Sequence, residues 1–381
     1  ALATRAAKLS VKRDFLWASR PRKDSLMNDA TRQRDDPGSR ARPQALAAVM
    51  AAGAVEASRS LAGGAGVYAA LDLGTNNCRL LIACPTGDSF RVIDSFSRII
   101  RLGEGISSTG RISEAAIGRA ISALSVCRDK MRARKAGRLR LIATEACRAA
   151  SNAENFRGRV AAATGIDLEV IDRETEAALA VIGCSPLVDP KGRGAILFDI
   201  GGGSTELVRI EHDHGEPRIK AWTSIPFGVV TLAERFGGHD VTAQSYASMV
   251  ADVTVPVAAF AAAHGGDLTG MHLLGTSGTV TTLAGIHLDL ARYDRRRVDG
   301  IWMDDADITR TIDRLRAMDY QSRVAHGCIG VERADLVLAG CAILDAIRQA
   351  FPMPRLRVAD RGLREGMLVE MMREDGAIRM S

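Results

Sequence analysis

The sequence predicts an α/β fold of two similar domains with a cleft between them, and three observations carry this. An apolar run, an Asp, one aliphatic residue and a small-residue turn occur at Leu71-Asp72-Leu73-Gly74-Thr75-Asn76-Asn77. The same outline returns at Phe198-Asp199-Ile200-Gly201-Gly202-Gly203-Ser204-Thr205, with the two Asp residues 127 positions apart. Helix-like and strand-like segments alternate through the rest of the chain, the pattern of an α/β protein. A third strand-to-glycine junction follows at Leu273-Leu274-Gly275-Thr276-Ser277-Gly278-Thr279.

Taken in order, Val67 to Ala83 reads as strand, turn, strand, and Arg91 to Leu102 continues in β-like alternation. Ser113 is placed to cap a helix reaching Ala136, with Ile117, Ile121, Leu124 and Met131 at helical spacing. Arg138 to Thr144 reads as a buried strand. Asn152 is placed to cap a further helix packed through Phe156 and Val160. Leu168 to Ile171 is a strand, Thr175 to Ile182 is helical, and Cys184-Ser185-Pro186 ends that helix. Gly194 to Ile210 repeats strand, turn, strand. The expected division is a first domain over residues 66–180 with the first turn, a second over 181–372 with the second turn, and a short tail over 373–381.

The paired turns suggest phosphate chemistry. A tight turn between strands aims several backbone N–H groups into one concavity that suits an anion. Glycine permits a positive φ and a close approach. Thr75, Ser204 and Thr205 add hydroxyl donors. Asp72 and Asp199 are too negative to hold phosphate themselves and suit Mg²⁺ or its waters, because carboxylates plus phosphate oxygens form the usual shell of that ion.

Composition sets limits. The chain has 381 residues, 46% hydrophobic, 25% charged and 4% aromatic, enough to bury a large core. No apolar run is expected to span a bilayer. Seven Cys without a CxxC pair do not make a disulfide framework or a zinc site, which fits a reducing, cytoplasmic setting. Residues 1–65 hold 12 Lys/Arg against 6 Asp/Glu, which accounts for the whole formal charge of +6 and leaves residues 66–381 neutral. The basic tail reads as disordered, and the core gives no sign of a DNA or membrane partner.

The chain resembles the Ppx/GppA family, the exopolyphosphatases and guanosine pentaphosphate phosphohydrolases. The matching stretches are Ala70 to Asn76, Arg98 to Gly105, Ala143-Thr144-Glu145-Ala146-Cys147-Arg148, Glu174-Thr175-Glu176-Ala177, Phe198 to Leu207, Gly275 to Thr279, Glu332-Arg333-Ala334-Asp335 and Arg361 to Gly366. The resemblance implies two duplicated ribonuclease H-like domains of the actin-like ATPase kind. It implies Glu176 as the carboxylate that orients the attacking water, with Glu174 the fallback. Glu206 is implied as a second active-site carboxylate near metal or water. The same resemblance places Arg98 and Arg148 on phosphate, where a guanidinium fork matches the oxygens. Glu145 is placed to pair with Arg148. Gly278 joins Gly74, Thr75, Asn76, Gly201, Gly202, Gly203, Ser204 and Thr205 as a phosphate contact. Asp72, Asp199 and Glu206 are the expected metal-side carboxylates. The expected cofactor is Mg²⁺, and the resemblance allows a monovalent cation and a homodimer.

Three positions depart from the family pattern: Asn77 stands where Ser is usual, and Ala178 and Thr231 stand where Arg is frequent. The expected activity is release of terminal orthophosphate from inorganic polyphosphate. The alternative is the 5′-phosphohydrolysis of guanosine pentaphosphate. Readings from other classes are an ATP-dependent phosphotransferase and a non-catalytic alarmone-binding regulator. No Cys is followed by Arg at the spacing of a cysteine phosphatase, and no Gly-Lys dipeptide supplies a Walker A loop. His212-Asp213 and His239-Asp240 lie in Gly-rich, charged stretches and read as surface loops.

Overall fold

The structure is a computed structural model describing residues 66–213 and 216–379. The expected disordered tail at 1–65 lies outside the described residues.

Two sheets repeat one topology. The first has the order β3-β2-β1-β4-β5, with β1 Tyr68–Leu73, β2 Asn77–Thr86, β3 Ser89–Ile99, β4 Arg138–Ala143 and β5 Glu169–Val170. The second has the order β10-β11-β9-β6-β7-β8, with β6 Gly194–Ile200, β7 Thr205–Asp213, β8 Glu216–Ile225, β9 Met271–Thr276, β10 Trp302–Asp304 and β11 Arg355–Ala359. In each, an antiparallel meander is followed by a strand parallel to the first, β4 beside β1 and β9 beside β6. The duplication expected from the two turns is therefore present in the strand pairing itself.

The helices that bear on the site are α1 Glu114–Ala133, α2 Glu145–Ala149, α3 Ala153–Thr164, α4 Arg173–Cys184, α5 Val229–Phe236, α6 Ala243–His264, α7 Gly278–His287, α8 Val337–Ala350 and α9 Leu363–Glu374. Ser113 caps α1 as expected, its hydroxyl accepting from the Ala116 N–H. Asn152 does stand at the α3 cap position. Its amide is used differently, taking both the N–H and the C=O of Ile112 at 2.9 Å. Asp172 caps α4 through the Thr175 N–H and starts that helix two residues before the expected Thr175.

α4 lies between the sheets. Its Leu179 packs with Tyr68, Ala70 and Leu81 of the first sheet. Ala177, Ala180, Val181 and Cys184 pack on Ala195, Leu197 and Val208 of the second. α9 crosses α4 at two glycines: a methyl group on Gly183 would fall 2.0 Å from the Gly362 oxygen, and one on Gly366 would fall 2.0 Å from the Leu179 oxygen. Only hydrogen fits there.

α9 packs on the first sheet through Leu363, Met367, Leu368, Met371 and Met372, and buried Ile378 joins the same cluster. The expected boundary at residue 372 thus cuts a helix that returns to the first lobe, and residues 373–379 are not a free tail. The chain order hid this, because only tertiary packing says which apolar face a late helix covers.

By length and composition α6 is more apolar than the sequence reading allowed. An 18-residue stretch of this 22-residue helix has a mean hydropathy of 1.5, long and apolar enough to cross a membrane by those measures alone. Alanines and valines supply that hydropathy. Tyr246, Met249, Val253, Val257 and Phe260 pack into the core of the second lobe.

Candidate active site

Asp72 and Asp199 stand one residue before the ends of their strands and line a cavity of about 680 Å³ between the lobes. This is the crevice outside the carboxyl ends of parallel strands where open α/β sheets bind ligands. The two turns close in the same way. The Gly74 N–H donates to the Asn77 C=O, and the Gly201 N–H donates to the Ser204 C=O, each at 2.9 Å. The register places Arg79 opposite Asp72 and Glu206 opposite Asp199, each seven residues on. The duplication therefore sets a cation and a carboxylate at equivalent positions across the cleft.

Glycine serves these turns by close approach. None of Gly74, Gly201, Gly202 and Gly203 has a positive φ. A methyl group on Gly202 would fall 2.9 Å from Thr75 Cβ, and one on Gly228 would fall 2.3 Å from the Gly202 carbonyl carbon. Of the two expected uses of glycine, the positive φ is absent from these turns and the close approach is present. Gly228→Ala is expected to displace the second turn, raising KM for phosphate release several-fold and lowering Tm, as steady-state kinetics and calorimetry would show. A wild-type KM would show that the turn tolerates the methyl group.

In the third junction Ser277 carries a φ of 103° at the start of α7, conformational strain of the kind stored at functional sites. Its Oγ has no hydrogen-bonding partner, and Gly278 beside it lines the cavity.

Glu176 lies in the first turn of α4 and lines the cavity, whereas Glu174 is exposed and does not. Its Oε2 accepts from Arg148 Nη2 at 2.8 Å. Arg148 also donates to Glu145 at 3.0 Å and to the Ile171 C=O at 2.9 Å, and Arg173 donates to the other Glu145 oxygen. Burial, with the Glu206 charge behind it, holds the Glu176 carboxyl well above the usual range; Arg148 opposes this. Glu206 is buried. Its Oε1 accepts from the Ser204 and Ser224 hydroxyls at 2.8 Å each, and burial raises its pKa as well.

Several expected phosphate contacts lie elsewhere. Arg98 pairs in register with Cys78, which faces the α1 side of the first sheet; Arg79, Ser97 and Ser95 take the cavity face. Arg98 is exposed, stacks over the Phe96 ring and reaches Ser122 on α1. Arg98→Ala is therefore expected to leave kcat and KM for phosphate release within about twofold of wild type, as for a surface side chain; a large rise in KM would return it to the site. Arg148 does not line the cavity, and its guanidinium engages Glu176, Glu145 and the Ile171 C=O, which places it to position a carboxylate. Thr205 is buried and gives its hydroxyl to the Phe227 C=O, so it is not a free donor. Thr231, where Arg is frequent, caps α5 by accepting from the Gly228 N–H. Gly74, Thr75, Asn76, Gly201, Gly202, Gly203 and Ser204 all line the cavity.

Five arginines that the sequence left unassigned line the cavity: Arg295 is paired with Glu365 and Arg361 with Asp299, which leaves Arg79, Arg333 and Arg364 without an ion-pair partner among the described residues. Arg79 and Arg364 have no hydrogen-bonding partner among the described residues. Both sit close enough to Asp72 and Asp199 to oppose the rise of those carboxyls. Arg333 lies against Gly278, with Thr282 as a distant partner at 3.5 Å. The signal for Arg79 was in the sequence, as the residue matching Glu206 in the repeat.

Burial first and the Glu206 charge second push Asp199 up to about 7 from 3.8. Its folded pKa is above its unfolded one, so its contribution to stability is fully present below about pH 4 and is lost as pH rises through about 7. Asp72, Glu176 and Glu206 are shifted in the same direction. In chelator, Tm is expected to fall between about pH 4 and 7, and Asp199→Asn to flatten part of that slope in calorimetry.

Two matched Asp-Gly turns facing each other across a carboxylate-bearing helix define an enzyme of phosphoryl chemistry on the two-domain actin-like fold. The model of the Ppx/GppA phosphatase family matches residues 81–375, and the chain belongs to that family. It is 28% identical over 326 residues to exopolyphosphatase 2 of Mycobacterium tuberculosis, covering 80% of this chain and 98% of that protein. It is 28% identical over 319 residues to the guanosine-5′-triphosphate,3′-diphosphate pyrophosphatase of Vibrio vulnificus, of which it spans 61%. The crystal structure of the Ppx/GppA member from Aquifex aeolicus superposes with a TM-score of 0.69 at 29% identity, covering 82% of this chain and 99% of that one.

Proposed function

We propose that the protein is a phosphoanhydride hydrolase that releases terminal orthophosphate from inorganic polyphosphate. The observation that carries this is Glu176, held by Arg148 on the wall of a cavity between two equivalent anion-binding turns. The N–H groups of the turns and the side chains of Thr75, Arg79, Arg333 and Arg364 receive the phosphate oxygens. Glu176 accepts a hydrogen bond from water and aims it at the terminal phosphorus; phosphoryl transfer needs mainly such positioning and charge stabilisation. Burial keeps Glu176 basic enough to take the proton.

The donors present suit Mg²⁺. Asp72 and Asp199 offer hard carboxylates, and the buried Oδ1 atoms of Asn76 and Asn77 have no partners. Among the described residues no three His, Cys, Asp or Glu side chains converge as a metal cage, so a substrate would complete the shell. Of the Glu206 oxygens, Oε1 is engaged by two hydroxyls, and Oε2 would be the one able to accept from water or face an ion. When bound, the ion neutralises charge on the phosphate oxygens.

The likeness to exopolyphosphatase 2 of M. tuberculosis supports the polyphosphate reading. Tyr293, partly exposed on the cavity wall, is the observation that favours guanosine pentaphosphate, since its ring offers a face to a base. Phosphate release from long polyphosphate, guanosine pentaphosphate and ATP, measured in parallel with and without Mg²⁺, tests both readings. Polyphosphate should give the highest kcat/KM. Release from none of the three would end the hydrolase reading, and transfer only to an acceptor would point to a phosphotransferase.

A further inference from the structure

The segment 100–107 carries two polar contacts across the cleft. Arg101 holds both carboxylate oxygens of Asp335, at 2.8 and 2.9 Å, and reaches the Glu332 C=O. Glu234 on α5 accepts from the Gly105 N–H at 2.8 Å and the Ser107 hydroxyl at 2.6 Å. Arg119 braces the segment from α1, donating to the Ile100 and Arg101 carbonyls and to Glu104.

What these contacts join is informative. On the first lobe, the Asn76 C=O accepts from the Ile100 and Arg101 N–H groups, and the Thr75 C=O accepts from the Gly103 N–H. Gly103 presses so closely on Thr75 that a methyl group would fall 2.1 Å from its Cγ2. The segment is thus fastened to the first phosphate turn. On the second lobe, the Val229 and Val230 N–H groups of α5 donate to the Gly201 and Gly202 carbonyls, which fastens the helix carrying Glu234 to the second phosphate turn. Asp335 is two residues from Arg333, whose guanidinium lines the cavity.

We propose that Glu234 and Asp335 are positioning residues, forming a latch with segment 101–107 that sets the spacing between the two phosphate turns. Each partner is backbone-bonded to a turn or adjoins a cavity cation, so phosphates that engage both turns load the latch in its closed geometry. Loosening it costs substrate binding, while Glu176 keeps its own support from Arg148. The latch is a property of the ligand-free fold and stands whichever polyphosphate compound is the substrate.

The test uses the full chain with nitroxides at Lys135→Cys in the first lobe and Val255→Cys in the second, in a Cys84→Ser background, read by pulsed electron resonance. The unmutated latch should give one narrow distance. Asp335→Asn with Glu234→Gln should broaden it without ligand, and tripolyphosphate should narrow it again. KM for phosphate release from tripolyphosphate should rise about tenfold with kcat within about twofold, the scale of two charge-assisted contacts. The swap Arg101→Asp with Asp335→Arg should recover a narrow distance. Unchanged distances in the double variant, with and without tripolyphosphate, would overturn the proposal. So would a swap that folds and remains broad. If the double variant does not fold, Asp335→Asn alone carries the same comparison. Tripolyphosphate that goes uncleaved by the unmutated chain would count against the hydrolase reading and leave the distance comparison intact.

Discussion

Glu176→Gln is expected to lower kcat for phosphate release by about 10²–10⁴ while KM stays within a few-fold, the loss typical of a positioned general base. The amide keeps the size of the side chain and an oxygen that still accepts from Arg148, so the cavity wall stays in place. What goes is the proton acceptor. Stability is expected to move the other way. Burial and Glu206 hold the Glu176 carboxyl well above its ordinary value, so its ionised form disfavours folding. A neutral amide removes that penalty, which grows as pH rises through the folded pKa. The variant should therefore match wild type in acid and become the more stable of the two as pH rises. Activity and unfolding measured on the same preparation separate the two effects. A variant that retains wild-type kcat would remove Glu176 from the chemistry; one that loses activity and stability together would recast it as a structural residue.

Much of this site was legible because phosphate binding concentrates in short strings. The turns at Gly74 and Gly201, the carboxylates Glu176 and Glu206 and the Gly278 junction all reach the cavity from the segments that suggested them. The duplicated topology was legible because each turn must sit between two strands. Features that depend on pairing were not. Arg98 is sent to the far face by its register with Cys78, which no window along β3 can give. Arg148 meets Glu176 across 28 positions, so its fork could be assigned to phosphate until Ile171 and Glu145 were seen beside it. Thr205 reads as a donor until the Phe227 carbonyl is brought over it. α9 follows every strand of the second sheet in the chain yet completes the first lobe, since its Met-rich face matches Tyr68, Ala70 and Leu81. Arg79 could have been found by carrying the repeat seven residues past each Asp.

Arg148→Ala is expected to cost about 3–5 kcal/mol of stability near neutral pH, the usual penalty for removing one partner of a buried ion pair. Only 14% of the Arg148 side chain is exposed, and 15% of Glu176 and of Glu145, so solvent cannot replace the lost contacts. The cost should shrink on acidification, because a protonated Glu176 needs no counter-charge. Catalysis offers the sharper discrimination. Arg148 lowers the pKa of Glu176 against the effect of burial, so its removal raises that pKa further. The carboxylate then ionises only at higher pH, and the acid limb of the kcat profile should move to alkaline pH, with kcat at pH 7 falling by about 10². A phosphate-gripping Arg148 would give a different pattern: KM would rise and the acid limb would stay in place. Arg148→Lys divides the two further. A single ammonium could still meet a phosphate, but it cannot hold Glu176, Glu145 and the Ile171 carbonyl at once, since that needs the planar fork. The Lys variant should therefore show the alkaline shift of the Ala variant with a smaller loss of stability, and an unshifted profile would return Arg148 to the substrate.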